Sequence, residues 1–141
     1  MREILFRGKR TDDGEWMCGN LTVWSDGSAS IDREPTASSP MYAVIPETIG
    51  QYTGLTDKNG KKIFEGDIVL FPWDNEDKEV FCIEFVEGEF MAIPKRKSTD
   101  IWCIRIGSYS PDFEVIGNIH DNPEFLTKED AENALKERES V

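Results

Sequence analysis

The chain of 141 residues carries one histidine, His120, and three cysteines, Cys18, Cys82 and Cys103. Any nucleophilic relay must therefore draw on very few groups. A Ser–His–Asp arrangement would set His120 between Asp112 or Asp121 as orienting carboxylate and Ser108, Ser110 or a cysteine as nucleophile. No G-x-S-x-G elbow surrounds these serines, and His120 stands beside an Asp-Asn-Pro turn, where an imidazole reads as a strand-end residue. One histidine and scattered cysteines lack the spacing of a closed zinc site. The acidic stretch Asp74 to Asp77 lacks the frame and the late bidentate glutamate of a calcium loop, and reads as a solvated loop. Paired carboxylates for hydrolysis form in space, so 28 acidic residues do not by themselves indicate them. No catalytic residue, metal ligand or cofactor is expected.

One stretch, "QYTGLTDKNGKKIFEGDIVLF" (51–71), could be taken for a phosphate-cradling loop. A Walker loop needs G-x-x-x-x-G-K-[ST] between a strand and a helix, whose free N–H groups face the anion. Here the frame from Gly54 to Gly60 is one residue too wide, Lys61-Lys62 runs into Ile63, and no helical pattern follows. The turn reading fits throughout. Asn59-Gly60 tolerates positive φ and is read as a two-residue hairpin connection, and Glu65-Gly66-Asp67 makes a second turn.

The elements around these residues are β in character. "REILFRGKRTDDGEWMCGNLTVW" reads as a hairpin turning at Asp13-Gly14. The polar stretch from Ser25 to Pro40 reads as a long loop, either mobile or a functional flap. "MYAVIP" suits a buried strand. "VFCIEFVEGEFMAIP" is a second hairpin with Glu87-Gly88-Glu89 at its tip, where both acids should be exposed. Its alternation sets Phe81, Ile83 and Phe85 on one face and Val80, Cys82 and Val86 on the other, so both faces are largely apolar and the strand should be covered twice. "IWCIRIG" and "FEVIGNIH" add two strands. At the end Thr127 and Asp130 offer a cap to a helix whose apolar face is thin, mainly Ala131, Ala134 and Leu135. The expected fold is all-β: a small barrel or barrel-like sandwich of seven to nine short antiparallel strands with one C-terminal α-helix. Residues 1–126 form the β-rich domain and 127–141 the helical appendage.

The formal net charge of −12 repels phosphate backbones, so direct nucleic-acid binding is not expected. The N-terminus returns to charge after three apolar residues, which excludes a signal peptide's hydrophobic region, and no segment approaches membrane-spanning length. Unpaired cysteines fit reduced, mostly buried thiols, and the expected location is the cytoplasm of the host bacterial cell.

The aromatic most suited to an interface is Trp73, set beside Asp74, Glu76 and Asp77. The alternative reading folds Trp73 back to close the barrel end. Arg96, with Lys95 and Lys97, forms the one basic cluster. Loops of opposite sign could meet in a symmetric homo-oligomer.

The blocks "IGQYTGLTDKNGKKIFEGDIV" and "VIGNIHDNPEF", with the opening "REILFRGKRTDDGEW", resemble the YopX family of phage and prophage proteins. The likeness runs from Arg2 to about Leu126, although the family pattern favours tyrosine where this chain has Phe64 and His120. The resemblance implies a mostly β fold and a phage or prophage origin, and it transfers no catalytic residue. The leading expectation is a non-enzymatic accessory protein that binds an unidentified host or phage protein. The alternatives are an acidic DNA mimic that blocks a host nucleic-acid enzyme and a carboxylate-dependent hydrolase.

Overall fold

The structure, a computed structural model, describes residues 2–33, 38–72, 78–94 and 103–126. Among them are eleven strands: β1 (Phe6–Lys9), β2 (Trp16–Val23), β3 (Ala29–Asp32), β4 (Met41–Val44), β5 (Gly50–Thr56), β6 (Lys62–Phe64), β7 (Asp67–Pro72), β8 (Lys78–Val86), β9 (Glu89–Pro94), β10 (Ile104–Arg105) and β11 (Glu114–Asn118). They lie in two sheets, ordered β4-β3-β2-β1-β5-β6 and β10-β9-β8-β7-β11. The chain divides into two compact units at Gly54/Leu55, with β5 crossing the division.

In the first unit, β1 and β2 form the expected hairpin. Arg10 donates its backbone N–H to the Glu15 carbonyl at 2.9 Å, and Gly14 donates to the Arg10 carbonyl at 3.0 Å. The sheet then curls back on itself. Arg10 bridges Val44, Thr11 donates to the Ala43 carbonyl, and Ile45 donates to the Lys9 carbonyl, so the end of β1 meets the outer edge of β4. A small closed core results, with Met17, Ala29, Ile31 and Val44 buried inside. Closure demands close strand approach at Gly19, where a Cβ would collide with the Asp32 carbonyl oxygen.

Two expectations change here. The stretch from Ser25 to Pro40, read as a loop, contains β3, whose Ala29 and Ile31 alternate inward between β2 and β4. Only two apolar residues carry that strand, too few to stand out in sequence. In β4, conversely, only Val44 is buried and Met41 is 46% exposed. An edge strand needs one inward side chain, so its apolar run did not mean full burial.

In the second unit β7 is buried along its apolar length and faces two cores. Val69 and Phe71 join Phe81, Ile83 and Phe113 on one face, while Ile68 and Leu70 join Val80 on the other. This explains the unbroken run "IVLF": a strand covered on both sides has no polar alternation. Phe113 packs edge-on to Phe71 with ring centroids 5.7 Å apart. Burying each such ring contributes roughly 1.5–3 kcal/mol.

The all-β expectation holds, but the C-terminal α-helix does not belong to the observed fold. Among the described residues the longest helical element is the four-residue 3-10 turn Pro123–Leu126, with which they end. The expected helix at 127–141 lies outside the described residues. It rested on a local cap and dipole charges, whereas helices in proteins are held mainly by packing of an apolar face. Two alanines and a leucine offer little such face.

Candidate functional site

The residues singled out from sequence, Trp73, Asp74, Glu76, Asp77 and Arg96, all lie outside the described residues. The first four fall between β7 and β8, whose facing ends pair at Pro72↔Lys78. Arg96 follows β9.

The glycine-containing stretch is a turn, built around a carboxylate that the sequence reading passed over. Asp57 is 5% exposed. Its Oδ1 accepts the N–H groups of Asn59 at 2.8 Å and Lys61 at 2.9 Å, and its Oδ2 accepts that of Val115 at 3.0 Å on β11. The Asp57 carbonyl takes the Gly60 N–H, and the Lys58 N–H goes to the Phe113 carbonyl. All four amides from Lys58 to Lys61 therefore point at protein acceptors, and none is left to cradle a phosphate. Burial pushes the Asp57 carboxyl up, but the N–H groups of Val115, Lys61 and Asn59 and the charge of Lys61 outweigh it, holding the group below its ordinary value. Between Asp57 and Lys61 only Gly60 takes positive φ, at +80°. The connection is thus a turn of three central residues, Lys58-Asn59-Gly60, rather than the expected two: Asp57 donates its N–H to the Lys61 carbonyl, and the carboxylate supports Asn59 at negative φ.

The His120 region is likewise architectural. Asn118 Oδ1 accepts the N–H groups of His120 at 3.0 Å and Asp121 at 2.9 Å. The Asp121 carboxylate accepts from Asn118 Nδ2 at 3.1 Å. Ser110 is buried in the 3-10 turn Ser110–Asp112. Among the described residues no group of three or more His, Cys, Asp or Glu could hold a metal ion. None of their helices is long and apolar enough to cross a membrane.

On the first unit, Arg7 and Lys9 lie over the Trp16 ring at 4.8 and 5.5 Å, and Arg10 lies over Tyr42 at 4.1 Å. Arg10 also grips Asp12 through two hydrogen bonds of 3.0 and 2.7 Å. That pairing raises the pKa of Arg10 and lowers that of Asp12.

The far end of β8 presents a different surface. β7 pairs with β8 from Lys78 to Cys82, and β10 pairs with β9 only at Met91 and Ala92. The ribbon from Glu84 to Phe90 runs on past both neighbours, held by the β8–β9 pairs Phe85↔Phe90 and Val86↔Glu89. Phe85 is 55% exposed and Val86 38%. Phe85 and Phe90 meet edge to face at 5.1 Å. The turn has positive φ at both Glu87 (+50°) and Gly88 (+86°), the geometry of a type I′ hairpin. Glycine adopts this freely, whereas a glutamate there costs about 1 kcal/mol. Glu89 binds Arg105 at 3.2 Å across the ribbon edge. Alternation gave the correct faces for Phe85 and Val86, but their exposure depends on where β7 stops. No local signal carries that.

The sequence model of the YopX protein matches residues 5–127. The chain belongs to the YopX family. It is similar to a crystal structure of protein EF1440 from Enterococcus faecalis at 27% identity, covering 89% of this chain and 99% of that one with a TM-score of 0.53. It is also similar to the crystal structure of protein yopX from Bacillus subtilis at 20% identity, covering 89% of this chain and 97% of that one with a TM-score of 0.56. The latter likeness is one of fold. Comparison with curated proteins yields no match. The Asp57 turn, the Asn118 turn and the β8–β9 ribbon all fall within the span that matches the YopX family.

Proposed function

We propose that this YopX-family chain is a non-enzymatic accessory protein of a phage or prophage, acting in the bacterial cytoplasm by binding a host or phage protein. One observation carries the reading: the projecting β8–β9 ribbon holds Phe85 and Val86 in solvent on a turn strained at Glu87. Exposed apolar side chains on a rigid hairpin, rimmed by charge, have the composition of a protein contact surface. Strain retained at an exposed turn agrees with a role other than stability. Trp73 with Asp74, Glu76 and Asp77 remains a second surface on the same reading. It attaches at the Lys78 end of β8, eight residue steps and about 26 Å from Val86.

Affinity capture from infected cells tests this, with wild-type protein, the Phe85→Ser/Val86→Ser double variant and Trp73→Ala in parallel. The expected outcome is a stoichiometric protein partner recovered by wild type and lost from one of the variants. Identical recovery of every protein by all three forms would overturn the reading.

A further inference from the structure

We propose that Asn59 is a site of spontaneous covalent modification, and that the turn around it sets how fast the change occurs. The proposal does not depend on the protein-binding reading above. Asn59 is the sole asparagine of the chain that precedes a glycine. In such a pair the backbone nitrogen of the glycine attacks the side-chain amide with little hindrance, because no Cβ shields it. Both residues are exposed, and a Cβ at Gly60 would meet nothing within 4 Å, so solvent reaches the reacting atoms. Among the described residues the Asn59 side chain makes no hydrogen bond, while its backbone N–H is held by Asp57. The aspartates that precede glycine differ on this point. Asp13 accepts the Glu15 N–H, Asp26 accepts both the N–H and the hydroxyl of Ser28, and an ionised carboxylate is a poor electrophile.

In the reaction the Gly60 nitrogen gives its proton to water and bonds to Asn59 Cγ, and the side-chain nitrogen leaves as ammonia. One water molecule then opens the resulting cyclic imide, and nothing is oxidised or reduced. Attack of that water at Cγ gives aspartate. Attack at the backbone carbonyl carbon of residue 59 gives isoaspartate, whose main chain runs through the former side chain and is longer by a methylene. In the observed turn the first step is held back. The Gly60 N–H donates to the Asp57 carbonyl at 3.0 Å, and Asp57 Oδ1 holds the N–H groups of Asn59 and Lys61 on either side. Attack therefore requires the turn to open locally, and its rate scales with the open fraction. Once isoaspartate forms, the longer link between residues 59 and 60 cannot keep all three N–H groups on Asp57. The same carboxylate holds the Val115 N–H at 3.0 Å, so the tie to β11 loosens with it. The Asp57 turn is a latch with a one-way chemical release.

The test incubates the full chain in mildly alkaline buffer, folded and, in parallel, unfolded in urea. Mass spectrometry follows the peptide carrying residue 59, and enzymatic methyl transfer scores isoaspartate. Conversion at Asn59 is expected in both, about tenfold to a hundredfold slower in the folded chain, and faster in folded Asp57→Ala than in wild type. Hydrogen exchange of the Gly60 amide in wild type reports the same opening without any substitution, and decides the matter if Asp57→Ala does not fold. Its retardation and that of deamidation should agree within about threefold. In the purified isoaspartate form the Val115 amide should exchange at least about tenfold faster than in unmodified protein. A folded chain that converts as fast as the unfolded one would overturn the proposal. So would an intact Asn59 after the time in which a reaction slowed about a hundredfold reaches its midpoint. Gly60 exchange out of step with deamidation, or a Val115 amide equally protected in the modified form, would overturn the latch. Failure of the protein-binding reading alters none of these results.

Discussion

Two turns of this protein are built from similar residue types and do opposite things. The turn at Asp57 places each residue where its chemistry is cheapest. The carboxylate accepts three backbone N–H groups, the single positive φ falls on Gly60, and the turn is pinned to β11 through Val115 and Phe113. The turn at Glu87-Gly88 puts a glutamate where glycine or asparagine would be easier, and it leaves Phe85 and Val86 exposed. Local agreement marks the first as architecture. Local conflict at Glu87 agrees with the contact role proposed for the second.

The contrast can be broken most forcefully at Asp57. Asp57→Ala removes the acceptor for three N–H groups, one of them on β11, and should lower unfolding free energy by about 3 kcal/mol in urea titration. A loss below about 1 kcal/mol would mean that water replaces the carboxylate and that the turn is not a latch. Acid sharpens the same point. Because the folded state holds Asp57 below its ordinary value, its contribution is fully present above the unfolded pKa of about 3.9 and disappears as pH falls through the lower folded value. Stability measured across this acid range should decline more steeply for wild type than for Asp57→Asn, which has no carboxyl to protonate. Parallel curves would remove the carboxylate from the explanation. The smaller expected effect lies at the other turn and has the opposite sign. Glu87→Gly relieves the positive φ and should raise stability by about 0.5–1 kcal/mol, less the entropy that glycine adds to the unfolded chain. A destabilised Glu87→Gly would show that the glutamate serves the fold.

Much of the β framework was legible from sequence, for identifiable reasons. Asp13-Gly14, Glu65-Gly66 and Glu87-Gly88 each turn the chain where glycine's freedom predicts it. The run Ile68 to Phe71 is apolar because both faces of β7 are covered. Short, mixed strands were not legible, since the "ASID" of β3 holds two inward residues and gains its identity from β2 and β4. The reach of Asp57 to Val115, 58 residues away in sequence, is tertiary, although Asp three residues before Gly60 already fits the first position of a type I turn. The exposure of Phe85 follows from the end of β7 pairing at Cys82. A helix at 127–141 was inferred from local capping, and local capping is a weak guide where few apolar residues can pack.

The division of labour between the two turns is tested most directly by one double variant, Phe85→Ser/Val86→Ser, assayed for both urea stability and recovery of a protein partner by affinity capture. Unfolding free energy within about 0.5 kcal/mol of wild type, together with loss of the partner that wild type recovers, is the expected result. A variant that unfolds much more readily, or that recovers the same partner as wild type does, would contradict it.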